Sequence, residues 1–266
     1  MINLDKIREK FEKLNKKSGF NSESFLILKE GTTVIRILPY RSPERSTDDN
    51  FYYDFKAHTV SEDFKDPNSK FICLRSIDQD CPICSFYKSL WSTKSEADEA
   101  LARKIKPVDR FYMNVLVRNT PGEEGIEKVK ILSCGKMLMN KVFGIILDQD
   151  YITVEGQESY SILDLHKGRD FKIVMTKEKN WPRFDQSMPR PNTSPVAKSE
   201  GELEAVLSQL HNLPSLVKVK DLKDYQLAVE NLNATRALAG AKAESSNESE
   251  DLTTEEYLEN LKGDDK

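Results

Sequence analysis

The feature that most constrains this chain is a group of three cysteines and one histidine within 27 consecutive residues, since the whole sequence has only four cysteines and three histidines. His58, Cys73, Cys81 and Cys84 follow the spacing H-x14-C-x7-C-x2-C. Two thiolates two residues apart, as in Cys81-Pro-Ile-Cys84, can bind one tetrahedral ion, and Zn²⁺ takes Cys and His ligands in closed structural sites. The pattern therefore predicts one structural zinc ion.

A catalytic zinc is a poorer interpretation of the same residues. Zinc-dependent nucleobase deaminases need a Glu two residues after the His ligand, and here Thr59 and Val60 follow His58. Four protein ligands also leave no coordination position for water. Cys134 stands 50 residues beyond Cys84 and is predicted to be buried and unliganded. The sequence contains no phosphate-binding loop and no evident nucleophile–base pair, so we do not expect an enzyme. The alternative to a zinc site is four unrelated buried residues.

The N-terminal sequence is charged throughout and lacks the apolar core of a signal peptide. No run of about 18 apolar residues predicts a membrane span. We therefore expect an intracellular protein, in which clustered cysteines indicate metal binding rather than disulfides.

The charge is unevenly distributed along the sequence. The net charge is −4, yet residues 244–266 alone hold nine acidic and two basic residues, and residues 1–243 hold 38 basic and 35 acidic ones. A mildly basic body followed by an acidic tail is typical of a protein that binds a polyanion and has a competing or recruiting tail. A solvated, disordered end is an equally good interpretation.

The first residues predict a short amphipathic helix over 4–17. Its apolar stripe has helical spacing, and the remaining face is rich in lysine and arginine. The stripe is formed by Leu4, Ile7, Phe11 and Leu14. So short a helix is marginal by itself in water, so we expect it to pack on its own core or on a neighbouring molecule.

The rest of the chain is predicted to be mainly β with added helices. Strand-like runs occupy 24–29, 32–39, 51–60, 70–74, 111–117, 126–132, 151–156 and 169–179. Helical patterns occupy 86–105 with a break near 92–95, 135–150, a segment capped by Ser199 and Glu202, and 220–240. Several short strands with long loops predict an OB-fold-like small open barrel, although periodicity does not separate it from a sandwich.

Aromatic and basic residues are interleaved in two places. Residues 100–145 contain nine basic and four acidic residues around Phe111 and Tyr112, and a proline-containing loop holds Trp181 and Phe184. Binding of single-stranded nucleic acid requires this combination, because rings stack on bases and cations bind phosphates. Alternatively, strand alternation places either Phe111 or Tyr112 in the core, and Trp181 closes the end of the barrel.

Taken in order, these features resemble the single-stranded DNA-binding (helix-destabilising) proteins of T-even-type bacteriophages. VIRILP (34–39) resembles an early strand of that family, and the His and three Cys follow at a similar spacing. FYMNVLV (111–117), GKMLMNKV (135–142) and WPRF (181–184) resemble its aromatic strand, its Gly-Lys helix start and its two-aromatic loop. The acidic C-terminus resembles that family's tail.

The resemblance implies an OB-fold core over 21–240, with an embedded structural zinc subdomain at about 55–105 and C-terminal helices at about 199–240. It also implies an N-terminal arm (1–20) for self-association along DNA and an acidic disordered tail (241–266) that recruits replication and recombination proteins. The implied activity is cooperative, sequence-independent binding of single-stranded DNA in phage replication, recombination and repair, in the cytoplasm of the infected host cell. The side chains that it assigns to the DNA are Arg36, Tyr112, Trp181 and Phe184, with Lys106 and Arg110 as phosphate contacts.

The chain departs from the family pattern at two positions. INLDKI (2–7) lacks the N-terminal motif of a basic residue with Ser or Thr, and IDQ (77–79) replaces a tyrosine expected before the Cys-Pro-x-Cys knuckle. Two other classes stay open from the residues alone: a zinc-containing RNA-binding or translational-control module, and a protein-interaction adaptor.

Overall fold

The computed structural model describes residues 22–40, 51–60, 69–179 and 181–247. The predicted arm (1–20) lies outside this part of the chain, as does most of the predicted tail. The described residues form two compact units. Of the described residues, the first unit contains those up to Asp54 and those within Arg110–Leu216, and the second contains those within Phe55–Asp109 and those from Val217 to Asn247.

The secondary structure is mainly β with helices added, as the sequence predicts. The strands are β1 Phe25–Leu26, β2 Gly31–Ile37, β3 Tyr52–Thr59, β4 Lys70–Ile72, β5 Val108–Thr120, β6 Glu123–Gly135, β7 Thr153–Glu155, β8 Glu158–Tyr160, β9 Phe171–Glu178, β10 Trp181–Arg183 and β11 Met188–Pro189. The helices are α1 Pro82–Ser92, α2 Glu96–Ile105, α3 Lys136–Ile146, α4 Glu200–Ser208 and α5 Leu222–Asn247. The last of these includes residues 241–247, which begin the segment predicted as a tail. None of these helices combines the length and the apolar character that crossing a membrane requires.

A mixed sheet forms the first unit, with the strand order β1-β6-β5-β2-β9-β10. β1 runs parallel to β6, β11 pairs with β9, and the other pairs on this path are antiparallel. The described strands do not close into a barrel, which agrees with the prediction of an open OB-like arrangement. The long β5–β6 hairpin turns at Gly122, whose φ of 85° lies in the left-handed region that glycine adopts without steric cost.

Both faces of the central strands are covered in the first unit. Met113 and Val115 of β5 pack in a core cluster with residues of α3, whereas Leu116 packs in a second cluster with Leu203 of α4. Alternate side chains of a strand point to opposite faces, so two covered faces produce the unbroken buried run 113–117. Ser199 begins α4 as predicted, because its side-chain oxygen accepts the backbone N–H of Glu202 at 3.3 Å.

In the second unit, α5 packs beside the hairpin formed by β3 and β4. The rings of Phe71 and Tyr225 lie edge to face with centroids 5.0 Å apart, and the Tyr225 hydroxyl donates to the carbonyl of Ile72 at 2.6 Å. Arg236 of α5 donates to both carboxylate oxygens of the buried Asp98 at 2.5 and 2.6 Å. These contacts fix α5 to the residues around the cysteine cluster.

Candidate metal centre and nucleic-acid interface

The four sequence-predicted metal ligands meet in the second unit. His58 comes from β3, Cys73 follows β4, Cys81 is the residue before α1, and Cys84 lies in the first turn of that helix. All four side chains are buried, and their ligand atoms lie within 4.8 Å of one another. The fold therefore assembles in space the four residues that the spacing predicted.

The distances within this group fit a tetrahedral ion. Cys73 Sγ lies 3.4 Å from Cys84 Sγ, and His58 Nε2 lies 3.6 and 3.5 Å from the sulfurs of Cys81 and Cys84. Metal–ligand bonds of about 2.3 Å to sulfur and 2.0 Å to nitrogen place neighbouring ligands about 3.5 to 3.8 Å apart in a tetrahedron. The cluster can thus hold a zinc ion, and the donor set of thiolates and one imidazole disfavours Ca²⁺ and Mg²⁺.

A backbone carbonyl orients the histidine ligand. His58 Nδ1 lies 2.8 Å from the carbonyl oxygen of Ile105, which can only accept, so Nδ1 carries the proton and Nε2 presents its lone pair to the sulfurs. No sequence signal could have identified Ile105, because every residue has a carbonyl and only the fold selects one.

The thiols of this group also differ in their pKa values. The hydrogen bond from Cys73 lowers the pKa of Cys81 to about 3, whereas burial raises the pKa of Cys84. Cys81 immediately precedes α1, where the positive end of the helix dipole favours its thiolate. By contrast, Cys134 lies in β6 of the first unit, apart from this group, and burial raises the pKa of its thiol to about 12. It has the properties of a core thiol.

Arg36 occupies an interior position that differs from the DNA-facing one expected for it. Its side chain is fully buried, and one guanidinium nitrogen donates to the carbonyls of Asp164 at 2.8 Å and Ser194 at 2.6 Å. The other nitrogen lies 3.4 Å from a carboxylate oxygen of Asp170. Burial lowers the pKa of this guanidinium. Protein groups take up the donors of both terminal nitrogens, whereas the buried Nε has no hydrogen-bond partner among the described residues. We therefore propose a structural role for Arg36 and leave it out of the proposed DNA contacts.

Two aromatic residues near the start of β5, Phe111 and Tyr112, are each half-buried and lie on opposite faces of the strand. Phe111 joins the rings of Tyr52 and Phe143, with centroids 5.9 and 6.5 Å away. Tyr112 points to the opposite face and lies edge-on to Phe25 at 5.6 Å, and burial raises the pKa of its hydroxyl. Each ring keeps a partly exposed surface, so neither is confined to the core.

The segment after β9, predicted as a loop, begins with the short strand β10; it exposes one aromatic ring and partly buries the other. We keep the name Trp181 loop for residues 181–188. Trp181 is 74% exposed and pairs with Glu178 at the end of the sheet, whereas Phe184 packs against the core of the first unit. Phe184 therefore anchors the loop, and Trp181 offers a ring face to a ligand. Two of the cations near this loop are ion-paired: Lys177 with Glu30 at 3.3 Å and Arg183 with Glu178 at 2.6 Å.

The predicted phosphate contacts fall in different units. Arg110 is exposed in β5 of the first unit, and Lys106 is exposed directly after α2 in the second. Within the first unit, Lys136 is exposed at the start of α3 and directly follows Gly135, the strand partner of Arg110, whereas Lys128 is exposed further along β6, opposite Val117. Basic side chains from the segment 100–145 are thus exposed on β5, β6 and α3 of the first unit.

Comparison with known proteins gives one family. The family described as gp32 DNA binding protein like matches residues 29–235, which is most of the chain and includes the metal cluster and the Trp181 loop. No curated protein shows a significant match to the chain.

Proposed function

Because the chain belongs to the gp32 DNA binding protein like family, we propose that it binds single-stranded DNA without strict sequence specificity and that it does so cooperatively. The observation that carries this proposal is Trp181, a large ring that is 74% exposed on a loop anchored by Phe184. An exposed ring of this kind suits base stacking, which tolerates any sequence because every base has a π-face. The exposed cations Arg110 and Lys106 supply phosphate contacts, and Tyr112 contributes a second, half-buried ring.

Helix destabilisation follows from this binding by mass action. A protein that binds the single strand and not the duplex shifts the melting equilibrium toward the single strand. Stacking contributes about 1–3 kcal/mol per base, and each neutralised phosphate makes the affinity fall with rising salt.

Replacing Trp181 with alanine is expected to weaken oligo(dT) binding about tenfold, because one base loses its stacking partner. The free energy of unfolding should change by less than about 0.5 kcal/mol, since the ring is exposed. Fluorescence titration at low salt measures the affinity. The chain has two tryptophans, so the background variant Trp91→Phe leaves Trp181 as the only indole, and its emission should be quenched by oligo(dT).

Trp181→Phe is the matched control, because it keeps a ring and should retain most of the affinity. Phe184→Ala should lower both affinity and stability, since Phe184 packs against the core. A Trp181→Ala protein that loses stability but binds DNA normally would assign the ring to packing instead.

Within this proposal, one structural zinc ion bound by His58, Cys73, Cys81 and Cys84 holds the second unit together. The arm (1–20) mediates self-association along DNA, and the acidic tail recruits replication and recombination proteins. The protein then acts in phage DNA replication, recombination and repair in the cytoplasm of the infected host cell. Support for the arm and tail comes from the sequence alone: an amphipathic basic segment and a cluster of acids.

Deleting residues 248–266, which follow α5, is expected to tighten DNA binding and lower duplex melting temperatures further. These residues hold eight acidic and two basic side chains, which compete with DNA for the exposed cations. Thermal melting of a DNA duplex with the full-length and truncated proteins, at low and high salt, measures the effect. Equal melting curves for both proteins at low salt would contradict competition by the tail.

Two other functions are separated by simple binding assays. An RNA-binding module would prefer RNA over DNA of the same sequence, and an adaptor would leave the fluorescence of Trp181 unchanged by oligo(dT). The exposed Trp181 ring favours nucleic-acid binding over the adaptor, because it gives a ligand a stacking surface.

A further inference from the structure

A cavity of about 320 Å³ lies in the first unit beside the Trp181 loop. One wall is the second half of α3, another is the turn Gln149–Tyr151, and the third is the segment that follows β10. Its size is at the lower end of the range for small-molecule sites. The lining residues used below are Asn140, Lys141, Gly144, Asp148, Tyr151, Asp185 and Ser187. We call this cavity the α3 pocket.

The α3 pocket is structurally continuous with the loop that presents Trp181. The backbone N–H of Ser187 donates to the carbonyl of Phe184 at 3.0 Å, which turns the chain so that Asp185 and Ser187 line the cavity. The buried Ser187 hydroxyl accepts the N–H of Val174 in β9 at 3.0 Å. The pocket wall is therefore fixed to β9, the strand that also pairs with Trp181 at its end.

A glycine keeps the α3 pocket open. Gly144 lies inside α3 and lines the cavity, and a Cβ at this position would meet no atom within 4 Å. Neither a left-handed backbone conformation nor close packing requires glycine there. Glycine in a helix interior costs about 1 kcal/mol relative to alanine. The fold would thus be more stable with a side chain at 144, which would project into the cavity.

The lining has the chemistry to bind a nucleobase edge. In the described part of the chain, the side chains of Asn140 and Asp185 make no hydrogen bond, so both can pair with a ligand. Tyr151 supplies a half-buried ring, and Lys141 supplies a donor for ring carbonyls. Two carboxylates, Asp148 and Asp185, disfavour a phosphate in the same space.

We propose that the α3 pocket receives one nucleobase of the bound strand and favours bases with an exocyclic amino group, such as cytosine, over thymine. This inference rests on the proposed binding of single-stranded DNA. The carboxylate of Asp185 accepts hydrogen bonds, so it pairs with the N4 amino group of cytosine and repels the O4 that thymine carries at the same position, whereas Lys141 can pair with the O2 that both bases share. Stacking and phosphate contacts bind any sequence, and the α3 pocket adds a preference for bases that carry an amino group.

Competitive titrations with oligo(dC) and oligo(dT) of equal length test this proposal. The wild-type protein should bind oligo(dC) about tenfold more tightly, which corresponds to one well-paired base. Asp185→Asn should bring the two affinities close together, because an amide can also donate to thymine O4. Gly144→Leu should do the same by filling the cavity. Asp150→Asn is the matched control, since Asp150 is exposed in the same turn but does not line the cavity, and it should keep the preference.

Gly144→Ala serves as the folding control and should raise the melting temperature, because alanine favours the helix. Equal affinities in the wild-type protein, or a preference that survives both Asp185→Asn and Gly144→Leu, would overturn the α3 pocket while oligonucleotide binding itself stands. Failure of the wild-type protein to bind either oligonucleotide would instead overturn the proposed function. If Gly144→Leu does not fold, Asp185→Asn decides the question alone.

Discussion

Replacing Cys84 with serine is expected to abolish stoichiometric zinc binding and to unfold the second unit of the chain. Serine cannot supply the thiolate that completes the four-ligand set, and the sulfur of Cys84 lies within 3.5 Å of both Cys73 Sγ and His58 Nε2. Structural zinc contributes about 10 kcal/mol or more to the folding of small domains. Three of the four ligands also belong to the core cluster that holds Phe71 and Tyr225, so their release exposes that core.

Metal content measured by atomic emission should fall from one zinc per chain to none, and circular dichroism should show loss of helix at 25 °C. Cys134→Ser is the matched control, because Cys134 is equally buried but belongs to the core of the first unit. It should keep one zinc and lose only core stability. A Cys84→Ser protein that retains one tightly bound zinc would show that the ion is held elsewhere.

Replacing Arg36 with methionine is expected to destabilise the first unit by about 3 kcal/mol while leaving the intrinsic DNA affinity of the folded protein unchanged. The substitution fills similar volume but removes the donors for the carbonyls of Asp164 and Ser194 and one cation beside Asp170. Buried acceptors that lose their partners are costly because no water replaces them. Urea unfolding measures the stability, and oligo(dT) titration well below the transition measures affinity.

Arg110→Met is the control, and it should affect DNA binding but not stability, because Arg110 is exposed in β5. It should change stability by less than about 0.5 kcal/mol and reduce the slope of log affinity against log salt by about 0.7, the contribution of one phosphate contact on a single strand. If Arg36→Met instead behaves like Arg110→Met, then Arg36 contacts DNA directly and leaves its interior position when the strand binds.

Local chemistry made several features predictable from the sequence. The ligand types and the x2 spacing of Cys81 and Cys84 specify a metal cluster, and the structure brings the four predicted side chains together. The predicted break near 92–95 is present, with α1 ending at Ser92, Lys94 at a φ of 57° and α2 beginning at Glu96. Ser199 begins its helix as predicted. Each of these features depends on residues close together in the chain.

The positions of Arg36 and Ile105 were decided only by the tertiary structure. β2 lies between β5 and β9, and both faces of the sheet are covered, so Arg36 is buried. The residues around Arg36 do not alternate between polar and apolar, so the sequence pattern did not predict this burial. Ile105 contacts His58 through a backbone carbonyl, which no residue type encodes. The sequence by itself determined which side chains can bind a metal, where Ser199 caps a helix and where the helix predicted over 86–105 is broken. Burial and backbone partners depend instead on which distant elements pack together, and that long-range packing exists only in the folded chain.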